Sequence, residues 1–480
     1  MSRFDPTVTR RQFLAATAAA VAGAIAPWPL RVLASATRAS VREYELVAEA
    51  NTTAALRGVG HPAVAVWAYN GAVPGPAIRV RQGERLRVAV TNRLAEETTV
   101  HWHGMRVPNA MDGVPHLTQQ PIAPGARFVY EFDCPDAGTF WYHPHQRSFE
   151  QVGRGLYGPL IVEEREPIRV DRDLTWVLGD WRLTRAGAIS DDFGDAHDIA
   201  HDGRVGNTVT INGVVPGALA LRAGERIRLR LINAANARLF VLEFAGHHPR
   251  IIALDGQPVT PHAPAGGHVV LGPAMRVDII LDARGEPGSR HVVRDTAYKD
   301  LEYDLIELAY AKRPLRDAPL DTPLALPRNP LAEPDMARAQ PHTIRFQGGM
   351  MGDLSGATLR GRPVNMMDMM HGHAWAVNGI VATGHVHDPI LTLRRGRSYV
   401  LALHNDTQWH HPMHLHGHSF RVIRRNAKPT AHREWQDTVL MGPEEKVDIA
   451  FVADNPGDWM FHCHILEHQV GGMMATIRVA

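Results

Sequence analysis

Four His-x-His pairs stand out along the chain: His101-Trp102-His103, His143-Pro144-His145, His414-Leu415-His416 and His462-Cys463-His464. In a β-strand, residues i and i+2 share a face and i+1 points the other way. Each pair placed on a strand therefore turns two imidazoles to one side, and imidazole nitrogen is a common ligand for transition metals. Eight such nitrogens suffice for three metal ions at two or three imidazoles each. Cys463 lies between two of them, so its sulfur points away from the cluster. Its partners for a separate ion are His411, His468 five residues on and Met473 ten residues on. Two imidazoles, one thiolate and a weak thioether make a blue-copper electron-transfer site. The spacing wires the two sites together, because an electron arriving at the sulfur crosses one residue of backbone to reach His462 or His464. A lone His-x-His also fits a surface strand or a zinc site. Zinc, however, closes with four ligands, and twelve are present here.

The elements that must carry these residues are announced by a repeat. Asn70-Gly71-Ala72-Val73-Pro74-Gly75 leads to a Gly turn at Gly83-Glu84 and an alternating run from Leu86 to Asn92. The phrase returns as Asn212-Gly213-Val214-Val215-Pro216-Gly217, with Gly224-Glu225 and a run from Ile227 to Asn233. A weaker third copy begins at Asn378-Gly379-Ile380, turns at Gly396 and ends near Asn405. Apolar and charged residues alternate with period two, the pattern of a strand buried on one face. Short strands with Gly/Pro turns at this spacing predict an all-β sandwich, and three copies predict three. Composition places the units at 40–166, 167–313 and 342–480, with a Pro-rich linker over 314–341. Two His-x-His pairs fall in the first unit, two in the third and none in the second. The cluster must then sit at the seam between the first and third units.

A chain of 480 residues is too long for one core. Its 51 Lys and Arg against 50 Asp and Glu leave no basic face for nucleic acid. Two cysteines against 28 histidines exclude a disulfide framework and favour metal or catalytic use of the conspicuous one. The N-terminus reads as an address: Arg10-Arg11-Gln12-Phe13-Leu14, an alanine-rich run from Ala15 to Ala26, then Ala34-Ser35-Ala36. Residues 1–36 look like a twin-arginine signal peptide; the competing reading, a membrane anchor, is opposed by the short, alanine-rich run. A soluble periplasmic protein without a membrane segment in its mature form is expected.

With these motifs, the chain resembles the bacterial three-domain multicopper oxidases, the group of laccases and cuprous oxidases. The resemblance implies three consecutive cupredoxin-like Greek-key sandwiches and four copper ions per chain, one type 1, one type 2 and two type 3. Carried over, it assigns His101 and His414 to type 2. It gives His103, His143, His145, His416, His462 and His464 to the type 3 pair, and His411, Cys463, His468 and Met473 to type 1. It implies one-electron oxidation of a phenol or of Cu(I), coupled to four-electron reduction of dioxygen to water, by a monomer, with a possible part in copper tolerance. The alternative is a non-enzymatic scaffold or copper-sequestration protein of the same fold, although scaffolds of that kind have lost ligands and here every position is filled.

Proton supply is the remaining requirement. Asp112 in Met111-Asp112-Gly113 matches the family's acid beside type 2 copper; it also fits a turn-forming Asp before Gly. The family's second acid is replaced by Gln469, which cannot donate a proton as an acid does, and whether Glu467 substitutes is open. Methionine as the axial ligand lowers the type 1 potential and favours easily oxidised reductants. Six of the 16 methionines lie between Met350 and Met370, followed by His371 and His373. Soft thioethers suit Cu(I), while the plain alternative is an apolar loop. Cys134 is expected to be a buried small residue, His410 and His418 structural or supporting, and His247, His248, His385 and His387 surface or loop residues.

Overall fold

A computed structural model describes residues 40–58, 60–384 and 388–480. The expected leader, and His385 and His387, lie outside the described residues. The three copies of the repeat become three β-sandwiches of one plan. In each, an opening strand lies parallel to the run that ends in Asn: Val41–Ala54 beside Arg85–Asn92, Arg172–Trp181 beside Arg226–Asn233, and Gln340–Gly348 beside Ser398–Asn405. In each opposing sheet a short strand runs parallel to the domain's last strand, as with Ile78–Arg81 and Gly158–Glu163, Ala218–Leu221 and Tyr303–Tyr310, and Leu391–Leu393 and Met474–Val479. Three separate apolar cores fill the sandwiches.

The repeated asparagines explain why the phrase recurs. Asn70, Asn212 and Asn378 open tight turns at φ of 53°, 52° and 50°, the left-handed region that Asn and Gly tolerate. Each side-chain oxygen accepts a backbone N–H of the neighbouring strand, from Val47, Val177 and Arg345. The closing asparagines are buried and hold loops. Asn92 donates to the carbonyls of Glu96 and Ile122, Asn233 to those of Arg238 and Leu271, and Asn405 to those of Trp409 and Gly442. A satisfied buried amide of this kind fixes a loop that has no regular ladder of its own.

One expectation from the repeat needs correction. The strand Arg226–Asn233 is buried on both faces rather than one. Ile227, Leu229 and Leu231 enter the second core, while Arg228 and Arg230 are covered by the first domain. Arg228 pairs with Glu164 and Asp278, and Arg230 with Asp173, Asp278 and the Thr139 hydroxyl. Pairing each guanidinium with carboxylates makes this burial tolerable. The Pro-rich stretch is likewise fastened. Asn329 exchanges hydrogen bonds with the Ala137 backbone and donates to Gln257, and Leu326 packs with Ile252, Ala253 and Ile280.

Candidate metal centre

The eight pair histidines meet where the first and third sandwiches face each other. In the first, His101–His103 pairs with Gly138–His143, so that His101 lies opposite His143. In the third, His411–Leu415 pairs with Gly457–Cys463, with Met413 opposite Cys463 and His414 opposite His462. Period two sorts the side chains: Trp102 enters the first core and Met413 and Cys463 the third, while the histidines face the seam. All eight are buried. Their ligating atoms form close sets: His103, His143 and His464; His145, His416 and His462; and His101 and His414 with His103.

Hydrogen bonding decides which nitrogen each ring offers. A carbonyl or carboxylate oxygen only accepts, so a nitrogen bonded to one carries the proton and the other carries the lone pair. The Nδ1 atoms of His101, His143, His414 and His462 donate to the carbonyls of Asp112, Pro144, Asp437 and Cys463, at 2.8, 3.0, 2.9 and 2.8 Å. His416 Nδ1 donates to Asp112 Oδ2 at 2.9 Å. His103 is reversed, with Nε2 against Asp437 Oδ1 at 3.2 Å and Thr438 Oγ1 at 3.1 Å.

The remaining nitrogens of His101, His103 and His414 are buried without a partner, as are His145 Nε2 and His464 Nδ1. The Nε2 atoms of His416 and His462 lie 3.1 Å apart, and those of His143 and His464 3.4 Å. In the first of these pairs both atoms are lone-pair acceptors, and two acceptors at that distance repel unless a cation lies between them. Burial, reinforced by the neighbouring imidazoles, pushes His103, His143, His145, His416, His462 and His464 well below the usual imidazole range and keeps them neutral. The donor set therefore fits copper, or another imidazole-seeking ion, on its own geometry.

The second site holds Cys463 Sγ, His411 Nδ1 and His468 Nδ1, with separations of 3.5, 3.6 and 3.1 Å. A triangle with those sides has its centre about 2 Å from each corner, the length of a metal–imidazole bond. The outer nitrogens are committed elsewhere. His468 Nε2 donates to the His201 carbonyl at 2.5 Å. Thr407 Oγ1 gives its proton to Asn405 Oδ1 and so accepts from His411 Nε2 at 2.8 Å. The closing asparagine of the third repeat thus sets a ligand's tautomer. Met473 is fully buried in the same core cluster as Cys463. Burial pushes the Cys463 thiol up, so a bound cation is needed to make it a thiolate.

Asp112 is fully buried and touches one histidine from each domain, His416 through its carboxylate and His101 through its carbonyl. Gly113 allows this approach: at φ 81°, a Cβ there would meet the Val100 carbonyl oxygen at 1.9 Å. Glu467 faces the second domain instead, accepting from the Arg204 backbone N–H and from Asn236 Nδ2, both at 3.1 Å. Gln469 has its Oε1 3.4 Å from Ser148 Oγ and lines a cavity of about 250 Å³ that also reaches His145, Met460 and Met474.

The other singled-out residues have ordinary places. Cys134 is buried and its thiol is pushed up to about 12 by burial. His418 is buried with Nδ1 on the His416 carbonyl, and half-buried His410 faces Asp202. His247 and His248 lie in the loop between the strands Phe240–Phe244 and Arg250–Leu254; His247 is buried with its Nε2 against the Tyr310 hydroxyl, and His248 is exposed. Around Asn365, which caps it, Met366–Met370 forms a short helix; Met350, Met351, Met366, Met367 and Met370 are exposed. Three residues had no sequence signal. Asp437 and Thr438 support His103 and His414, and Arg276 holds Asp437. Thr438 lies opposite His414 on the neighbouring strand, whereas the Asp437 contacts with His103 and Arg276 form only across domains.

Known proteins resemble this chain over most of its length. Multicopper oxidase profiles match residues 51–167, 172–302 and 360–480. Multicopper oxidase MmcO of Mycobacterium tuberculosis is 32% identical, covering 87% of this chain and 84% of its own. The copper resistance protein A homolog of Pseudomonas syringae pv. tomato is 26% identical, covering 85% and 88%. A crystal structure of a multicopper oxidase from Pseudomonas thermotolerans aligns with a TM-score of 0.81 at 38% identity, over 92% of this chain and all of that one. This chain belongs to the multicopper oxidase family.

Proposed function

We propose that this copper-binding oxidoreductase holds four copper ions per chain, one at Cys463, His411, His468 and Met473, and three among the eight seam histidines. The observation that carries the reading is the alternation at His462-Cys463-His464, with the sulfur on one side and the two imidazoles on the other. When bound, the copper ions supply one-electron uptake from a reductant and the four-electron reduction of dioxygen to water. The residues do the rest. Cys463 links the two sites through a single peptide unit on either side. His101 and His414 take the type 2 position, and His103, His143, His145, His416, His462 and His464 the type 3 pair. Of the two carboxylates in reach of the seam, Asp437 is paired with Arg276, and Asp112 handles protons there. One chain provides every ligand, which supports a monomer.

The reductants proposed are Cu(I) and easily oxidised phenols. Every ligand of the Cys463 site is buried, and His468 Nε2 is closed off by the His201 carbonyl, so electrons enter through its surroundings. Exposed Met350 is fastened to those surroundings. The Met350 backbone N–H bonds the Ala200 carbonyl, and its own carbonyl accepts from Trp409 Nε1. Trp375 packs on His411 and His468. Exposed thioethers beside this rim support capture of Cu(I). A periplasmic location after twin-arginine export, and a part in copper tolerance, are supported by the leader and by the relative named for copper resistance. Oxygen uptake with Cu(I) and with a simple phenol tests the choice, using a variant with Met350, Met351, Met366, Met367 and Met370 changed to Leu. Selective loss of Cu(I) oxidation is expected; equal loss, or none, removes the Cu(I) reading.

A further inference from the structure

The second domain contributes no histidine to the seam, yet its Arg276 reaches a point where all three domains touch. Arg276 is fully buried. Its Nη1 and Nη2 donate to Asp437 Oδ1 and Oδ2 of the third domain at 2.8 and 2.5 Å, a two-pronged pair. Its Nε donates to the Thr139 carbonyl of the first domain at 3.2 Å. Asp255, also of the second domain, accepts from the Arg276 backbone N–H at 3.0 Å with one oxygen. Its other oxygen takes the N–H groups of Asp437 and Thr438 at 3.2 and 3.0 Å. The glycine that follows His103 makes room for the pair: a Cβ on Gly104 would fall 2.2 Å from Arg276 Nη2 and 2.5 Å from Asp437 Oδ2.

What Arg276 holds in place bears directly on two ligands. Asp437 Oδ1 accepts from His103 Nε2, leaving the lone pair on His103 Nδ1. Thr438 Oγ1 gives its proton to Asp437 Oδ1 at 2.8 Å, so toward both rings it can only accept. The Asp437 carbonyl and Thr438 Oγ1 both take the His414 Nδ1 proton, leaving the lone pair on His414 Nε2. The two rings are stacked with centroids 3.8 Å apart and are held in opposite tautomers. A carboxylate buried this deeply keeps its position only while a cation is paired with it. We propose that Arg276 is a positioning residue for the seam copper: through Asp437 it fixes the ring forms of His103 and His414, so the domain without ligands governs metal binding at the junction of the other two. Partners behind a metal ligand affect metal affinity by about 10- to 100-fold, enough to empty a site.

The inference rests on the four-copper reading, and the test separates the two. Wild-type chain, Arg276→Met and Arg276→Lys are loaded with copper and compared by copper per chain, the blue thiolate absorption and the type 2 electron paramagnetic resonance signal. Arg276→Met is expected to keep the blue absorption at wild-type intensity, to lose at least one copper ion per chain and to lose or shift the type 2 signal; Arg276→Lys recovers part of both. Four copper ions with an unaltered type 2 signal in Arg276→Met would overturn the proposal. So would a blue band lost in step with the seam copper, which marks a general folding role. If Arg276→Met gives no folded protein, Asp437→Asn carries the test under the same criteria. A wild-type chain that loads fewer than four ions overturns the four-copper reading instead.

Discussion

At the seam, eight imidazoles arrive from two domains; the tautomers of His101 and His416 are set by Asp112 from the first, and those of His103 and His414 by Asp437 and Thr438 from the third, gripped by the second. At the Cys463 site one domain supplies every ligand, and the second adds the His201 carbonyl behind His468 and the Ile199 carbonyl that holds Trp375. The seam is thus a property of the assembled chain, whereas the cysteine site is close to a property of one sandwich. Changes at domain contacts should damage the first and spare the second. Local changes in the third sandwich should do the reverse.

The largest expected effect comes from Cys463→Ser, which removes the sulfur and leaves both flanking histidines. The blue absorption and oxidase activity should vanish, while the seam keeps its copper. Copper analysis that shows the seam emptied as well would mean the two sites are not separable. Next is Asp112→Asn, which keeps an acceptor for His416 but removes the acid. Turnover should fall by about 10- to 100-fold with copper content and blue band intact. Unchanged turnover would return Asp112 to a turn-forming role.

Acid provides a graded version of the same contrast. In the metal-free chain burial pushes His103, His143, His145, His411, His416, His462 and His464 well down, His414 down, and His468 to about 3. An unfolded imidazole takes up its proton near pH 6.5. The unfolded state therefore binds more protons below that pH, so stability is complete above pH 6.5 and is lost as pH falls toward about 3. Denaturant midpoints of the metal-free chain should fall steadily over that range. At each pH the copper-loaded chain should unfold later, by about 4 kcal/mol when free copper is a thousand times its Kd. A flat profile would mean the rings are solvated. The smallest effect separates equivalent asparagines. Asn92→Ala and Asn405→Ala each remove two hydrogen bonds that hold loop carbonyls and should cost about 1–3 kcal/mol, read by chemical denaturation. Only Asn405→Ala should also shift the blue absorption, because Asn405 acts through Thr407 on His411.

Much of this was legible in sequence because it is local. Period two alone places the Cys463 sulfur opposite its neighbouring imidazoles, and the Asn-Gly phrase marks each sandwich because a left-handed turn needs those residues. What escaped is non-local. The alternation in Arg226–Asn233 announces a strand but not that the first domain covers its charged face. The stretch 314–341 has no period, yet Asn329 fastens it across two domains. Glu467, adjacent to a ligand in sequence, turns to the second domain, while Arg276, without any motif, holds the carboxylate behind two ligands.

Anomalous diffraction at the copper edge from copper-loaded crystals tests the central claim most directly. Four peaks are expected, one enclosed by Cys463, His411 and His468 and three among the eight seam histidines. A sulfur of Cys463 on the same side as His462 and His464, or a seam holding a single ion, would contradict it.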